Sequence, residues 1–259
     1  TRTLTHIVAV DLDSGELLWE NPLNDALGEL LERRRRGQSE LPPELLLPQA
    51  LSSVLRRRVW EDAIFGSITS NGRYVFGVED LPSGLGPRYK RTVVDANGMR
   101  RWESEPARRT ANVLTAYDLR TGKLVWEIGG PADSWQPAAG AFFLGPPLAL
   151  GNSLFVLADI EEEIRLLELH ADSGALVGET VLASRLKPAG SALWPMPYRP
   201  SDALRRQGAT PVYSDGVLVC QTSEHDFAAI DLATRELLWL HTLPEEETSP
   251  SRRAIVLGG

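Results

Sequence analysis

The sequence predicts an all-β fold, a β-propeller of four-stranded antiparallel blades with a helical insertion. Three observations predict it. A hairpin-like pattern recurs along the chain, a second hairpin precedes each good copy, and the recurrence approaches the ~40–50 residues of a propeller blade. The pattern is an alternating apolar run, Asp, two spacers, Ser or Thr, usually Gly, three residues and Trp. It runs from Ile7 through Asp11, Ser14 and Gly15 to Trp19, from Leu114 through Asp118, Thr121 and Gly122 to Trp126, and from Phe227 through Asp231, Thr234 and Arg235 to Trp239. A weaker copy spans Leu166, His170, Ser173, Gly174 and Gly178. The alternating run is a half-buried strand, the Asp and Ser/Thr side chains can accept from turn amides, and Gly supplies positive φ where the chain reverses. A sandwich also offers such strands, but it does not require repeating sequence.

Taken in order, residues 4–20 form a half blade with the second hairpin only. Residues 24–60 read as a helical insertion: Asn24 can cap a helix over Asp25 to Arg36, and Pro42-Pro43 precede a second apolar-periodic stretch from Glu44 to Arg58. Three full blades are expected at 63–130, 142–182 and 208–243. Their first hairpins turn at Asn71-Gly72, Gly151-Asn152 and Asp215-Gly216. Between Leu81 and Ala111 the chain is rich in Gly, Pro and Arg and predicts a long loop, with Asn97-Gly98 and Trp102 resembling a broken hairpin inside it. Ala254-Ile255-Val256-Leu257 predicts the start of a further blade over 252–259. The expectation is therefore about 3.5 blades of a seven- or eight-bladed propeller, the rest lying in further sequence.

With 259 residues, 42% hydrophobic and 24% charged, the chain can bury a sizeable core. No apolar stretch reaches the ~20 residues that span a bilayer. A net charge of −8 argues against nucleic acid as a partner, because neutralising phosphates takes a basic face. The single cysteine, Cys220, forbids an intrachain disulfide and multi-Cys zinc; on an alternating strand it predicts a buried, inert thiol. His6, His170, His225 and His241 never stand at short metal-ligand spacing. Asp11-Leu12-Asp13-Ser14-Gly15 has the look of a calcium loop, but the equivalent Asp118-Leu119-Arg120 keeps the turn and loses the second acid, so the register is structural. No catalytic or metal-ligating residue is predicted. The dense basic runs Arg33, Arg34, Arg35, Arg36 and Arg56, Arg57, Arg58 end the two helical stretches, where cations favour the negative helix end; alternatively they form a docking patch for an acidic partner or an anionic membrane surface, with Leu27, Leu30, Leu31 and Leu45 to Leu47 as its apolar centre.

The Asp-x-x-Thr/Ser-Gly-x-x-x-Trp pattern at 11–19, 118–126 and 231–239 resembles the tryptophan-docking repeat of the quinoprotein alcohol dehydrogenase-like superfamily, which holds PQQ-dependent dehydrogenases and propeller lipoproteins of outer-membrane protein assembly. Gly145-Pro146-Pro147 and Gly208-Ala209-Thr210-Pro211 are most similar to planctomycete PQQ-binding-like repeat proteins of the cell envelope. The resemblance implies that Asp11, Gly15, Trp19, Asp118, Gly122, Trp126, Gly174, Asp231 and Trp239 are structural, each Trp packing between adjacent blades. Gly178 stands where the third copy should carry Trp and His170 where it should carry Asp, which predicts a weaker interface. Arg235 in place of Gly predicts a left-handed residue.

Active quinoproteins bind PQQ beside Ca²⁺ with Glu and Asn, use an Asp as base, and often cover the quinone with a disulfide between adjacent cysteines. One cysteine cannot supply that disulfide, and no matching ligand signature is recognisable. The resemblance thus implies a non-catalytic scaffold that binds a protein partner or ligand without a cofactor in a bacterial periplasm, cell envelope or extracellular space. The alternative is a fragment of a PQQ/Ca²⁺-dependent dehydrogenase oxidising alcohols or sugars.

Overall fold

The computed structural model describes residues 1–23, 36–37, 55–56, 58–60, 62–80, 89–94, 100–105, 111–132, 137–161, 163–184 and 202–244. The chain is a β-propeller segment of antiparallel four-stranded blades. An N-terminal pair, β1 (His6–Val10) and β2 (Leu17–Pro22), precedes the short helix α1 (Ala63–Gly66). The first full blade orders β3 (Ile68–Ser70), β4 (Tyr74–Asp80), β7 (Asn112–Asp118) and β8 (Leu124–Gly129). Between β4 and β7 the hairpin β5 (Tyr89–Val94) and β6 (Arg100–Glu105) forms a sheet of its own.

The second blade orders β10 (Leu148–Leu150), β11 (Ser153–Ile160), β12 (Glu163–His170) and β13 (Leu176–Ser184), with β9 (Phe142–Phe143) also paired to β11. After α2 (Asp202–Gln207), the third orders β14 (Val212–Ser214), β15 (Val217–Gln221), β16 (Asp226–Asp231) and β17 (Leu237–Thr242). The strands β3 and β10 of neighbouring blades touch, so the first strands converge and the Trp-bearing fourth strands lie at the rim.

Burial follows from this order. The second blade has a neighbour on each side, and Leu154, Phe155, Val156, Leu157 and Ala158 of β11 are all essentially buried, so an unbroken apolar run replaces alternation. One core runs through the three blades and joins Phe76, Trp126, Phe143, Phe155 and Leu218. A smaller one, of Ile7, Leu23, Phe65, Val75 and Tyr117, seals the N-terminal pair to the first blade. Asn112 crosses an interface by imitating a strand: its Nδ2 donates to the Phe143 carbonyl at 2.9 Å and its Oδ1 accepts from the Phe143 N–H at 2.7 Å.

The turn at Asp215-Gly216 has positive φ at both residues (47° and 84°), as a type I′ hairpin demands. The hairpin expected around Asn97-Gly98 and Trp102 is present, but the loop reading of 81–111 is corrected in that it is not broken: β5 and β6 pair in continuous register from Tyr89↔Glu105 to Val94↔Arg100. This hairpin belongs to no blade sheet, so the period-2 apolar signal that a buried face imposes is not required of it. Of the helical insertion, residues 55–56 and 58–60 are helical and Arg36 and Gly37 form an exposed turn; the other residues of 24–60, with Arg33, Arg34, Arg35 and Arg57, and the strand expected over 252–259 lie outside the described residues.

Candidate functional site

Each repeat closes its second hairpin with the same turn. Asp11 Oδ1 accepts from the N–H groups of Asp13 and Ser14 (3.1 and 2.8 Å) and from the Ser14 hydroxyl (2.9 Å). Asp118 Oδ1 accepts from the Thr121 N–H and hydroxyl (2.7 and 2.8 Å), and Asp231 Oδ1 from Ala233, Thr234 and the Thr234 hydroxyl. These donors hold all three carboxyls below their ordinary range, led by the Ser14 amide at Asp11, the Thr121 hydroxyl at Asp118 and the Thr234 amide at Asp231. At His170 the loop keeps its backbone bond, Gly174 N–H to the His170 carbonyl at 2.8 Å, without a carboxylate.

A bulge then aims the tryptophan. The register steps past one residue between Val10↔Leu17 and Ala9↔Trp19, and the same step precedes Trp126 and Trp239. Trp19 lies on the turn of the next blade: a Cβ on Gly122 would stand 2.5 Å from the indole, and its Nε1 donates to the Leu119 carbonyl at 2.8 Å. Trp126 repeats the arrangement on the second blade, 2.8 Å from a Cβ on Gly174 and donating to the Ala171 carbonyl at 2.8 Å. Glycine is required twice over at 122 and 174, because φ is +71° and +69° and the ring fills the space a side chain would need.

The joint between the second and third blades uses other chemistry. Gly178 stands in β13 with open space beside it. Across the interface Arg235, held at φ +64°, sends its guanidinium back over the Phe155 ring at 5.1 Å and pairs with the Glu168 carboxylate. The donor lost its ring, and a cation grows from the acceptor turn instead. Two joint halves remain unfilled among the described residues: Trp239 is 45% exposed, and no atom lies within 4 Å of a Cβ built on Gly15.

The basic patch expected from sequence is divided. Arg56 is exposed, whereas Arg58 is buried 3.6 Å from Asp62 and 4.2 Å from the centre of the Phe65 ring, on whose faces Arg2 also packs at 4.2 Å. Asp62 caps α1 through the Phe65 N–H at 3.0 Å. Sequence reading missed this anchor because Arg2 is some sixty residues from Arg58 and Phe65; the Asp62 cap and the i,i+4 spacing of Arg58 and Asp62 were the local signals. Val59 and Trp60 beside it are exposed, Trp60 to 80%. Cys220 is buried, which pushes its thiol up to about 12.

The segments entering the three inner strands enclose a cleft of about 180 Å³. Its polar groups are Ser67, Gln207, Thr210 and Gln221; Pro146, Pro211, Val212 and Val219 supply apolar wall. Among the described residues no Asp, Glu, Lys, Arg or His lines it. Calcium requires several oxygen ligands, normally including carboxylates, and the carboxylates of PQQ require cations, so the residues of this cleft fit neither. Among the described residues no group of three or more His, Cys, Asp or Glu could hold a metal ion.

Residues 109–258 match the PQQ_2 family model, described as outer membrane protein assembly factor BamB. No curated protein matches the chain. Among solved structures, BamB from Moraxella catarrhalis is 16% identical, covering 68% of this chain and 44% of its own, with a TM-score of 0.33. The quinohemoprotein alcohol dehydrogenase ADHIIG from Pseudomonas putida HK5 is 14% identical, covering 92% of this chain and 31% of its own, with a TM-score of 0.44. The chain therefore spans less than half the length of either.

Proposed function

The chain belongs to the PQQ-like repeat family described as outer membrane protein assembly factor BamB, and from that premise we propose that it is a non-catalytic propeller module acting as a protein-interaction scaffold in a bacterial cell envelope. The observation that carries the reading is the match of residues 109–258 to a family described as an outer-membrane protein assembly factor; the described lining of the cleft, amides and hydroxyls without a charged side chain, is in keeping with it. The partner surface is the inserted segment 24–60, where Trp60 and Val59 stand exposed beside Arg56; an exposed indole with a flanking cation is the usual composition of an interface anchor. A seven- or eight-bladed propeller completed by further sequence is part of the same proposal.

Reconstitution tests it against the quinoprotein alternative. Protein incubated with Ca²⁺ and PQQ, freed of excess and scanned for quinone absorbance, is expected to retain none stoichiometrically and to reduce no dye with alcohols or aldose sugars. One quinone per chain with dye reduction overturns the scaffold reading. Envelope proteins retained by the immobilised chain are expected to be lost on Trp60→Ala or deletion of 24–60; retention unchanged by both moves the partner surface elsewhere.

A further inference from the structure

The cleft that the scaffold reading leaves idle has a definite hydrogen-bonding character. Its walls come from three consecutive blades and are fixed by contacts among them. The Ala209 N–H donates to the Leu144 carbonyl at 2.7 Å, the Thr69 hydroxyl donates to the Pro147 carbonyl at 2.7 Å, and a Cβ on Gly145 would stand 2.9 Å from the Ala209 carbonyl oxygen. Two hydroxyls in the lining already give their protons to the protein: Ser67 donates to the Ala63 carbonyl at 2.6 Å and Thr210 to the Pro146 carbonyl at 3.3 Å. Toward a ligand they can only accept. Gln207, which ends α2, and Gln221, which ends β15, are half-buried in the lining, and neither side-chain amide makes a hydrogen bond among the described residues. Each is free both to donate and to accept. Ile64, Pro146, Pro211, Val212 and Val219 give the cleft its apolar wall.

We propose that this cleft binds one uncharged residue of an extended peptide, its backbone amide read by Gln207 and Gln221 and its aliphatic side chain laid on the proline and valine wall. A peptide unit offers one N–H and one C=O, the complement of primary amides set beside accepting hydroxyls. An ionised ligand is disfavoured, because a charge taken out of water needs a counter-charge and none lines the cleft among the described residues. A sugar ring calls for a flat aromatic platform, and none of the described lining residues is aromatic. Size sets the extent: about 180 Å³ is below the ~300–1,000 Å³ of a pocket that takes a whole drug-sized ligand, so the cleft holds one residue while the flanking peptide stays outside. None of the described lining residues falls within 24–60, so this site is separate from the partner surface proposed there.

Heteronuclear NMR of the side-chain amides tests it, with N-acetylvaline methylamide as the probe. This blocked residue is expected to shift the Gln207 and Gln221 amide signals with a Kd of about 1–10 mM, the range open to so small a ligand. Gln207→Leu and Gln221→Leu keep the bulk and remove the hydrogen bonds. Each is expected to weaken binding at least about fivefold, read at the glutamine that remains. N-acetylvaline, whose free carboxylate meets no cation, is expected to bind at least about fivefold more weakly than the blocked probe. The comparison of the two probes uses the wild-type chain, so it decides even where a leucine variant fails to fold. Absence of any shift at about 50 mM probe overturns the proposal, as does equal binding of the free acid or binding that survives both leucine variants. Methyl glucoside shifting the same amides at lower concentration overturns it in favour of a sugar. The readout needs no envelope protein, so this test and the retention test for the scaffold reading fail separately.

Discussion

The joint between the first and second blades and the joint between the second and third solve one packing problem with opposite chemistry. At the first, Trp126 is 8% exposed, sits on Gly174 and stacks 5.9 Å from Phe76. At the second, Gly178 leaves the donor side bare and Arg235 reaches back from the acceptor side to Glu168 and Phe155. Indole on glycine is dispersion and hydrophobic burial capped by one neutral hydrogen bond, which depends on shape and hardly on salt. Guanidinium on carboxylate and ring tolerates looser fit but is screened, because the Arg235 side chain is 37% exposed. The two changes belong together: with a tryptophan at 178, a side chain at 235 would have no room, and with the ring gone the glycine is no longer needed.

The largest test of this contrast is Trp126→Ala. It empties a buried aromatic site in the shared core and strands the Ala171 carbonyl, and should cost about 3–5 kcal/mol in urea unfolding. A loss below about 1 kcal/mol would mean that the ring covers the joint without holding it.

Glycine-to-alanine substitutions separate the two joints next. Gly174→Ala adds a Cβ 2.8 Å from the indole at φ +69° and should destabilise by about 2–3 kcal/mol. Gly178→Ala meets nothing within 4 Å and should stay within about 0.5 kcal/mol of wild type. Equal effects at the two sites would break the comparison.

The residues that decide these outcomes differ in how far the sequence discloses them. The blades were legible because Asp118-x-x-Thr121-Gly122 and its copies encode a turn locally, and because Trp at a fixed offset needs only counting. The departures Gly178 and Arg235 were legible as breaks in the pattern, including the left-handed backbone at 235. What replaced the missing ring was not, because Glu168 and Phe155 lie on other strands and only the register of β11 and β12 brings them under Arg235. The bulge did leave a trace: the paired apolar residues Leu17-Leu18, Leu124-Val125 and Leu237-Leu238 break period-2 alternation just before each Trp. The cleft left only the Gly145-Pro146 and Gly208-Ala209-Thr210-Pro211 segments that line it; that these segments, with Ile64 and Gln221, enclose one space depends on how the blades pack.

A smaller effect distinguishes the polar joint by its medium. Arg235→Gly loses a partly exposed ion pair worth about 0.5–1 kcal/mol at low salt and relieves about 1 kcal/mol of left-handed strain. The net change should be under about 1 kcal/mol and should shift toward stabilisation as NaCl rises to about 0.5 M, where the wild-type pair is screened. Trp126→Ala should show no such salt dependence, and parallel salt responses in the two variants would remove the chemical distinction.

The smallest expected effect concerns the acceptor turns and is read with acid. Asp11, Asp118 and Asp231 titrate below their ordinary range in the folded chain because turn N–H and hydroxyl groups donate to the ionised form. Each therefore adds stability that is complete above the unfolded carboxyl range, near pH 4, and is lost as pH falls through the lowered folded value. The third turn has His170 in that position and no carboxylate to protonate. Asp118→Asn keeps an acceptor for the Thr121 amide and hydroxyl but cannot titrate, so its unfolding midpoint should fall less between pH 4 and pH 2 than that of wild type. His170→Asn, in the turn without a carboxylate, should leave that acid slope unchanged. If both asparagine variants flatten the slope equally, the acid sensitivity comes from net charge, and the Asp turns contribute geometry alone.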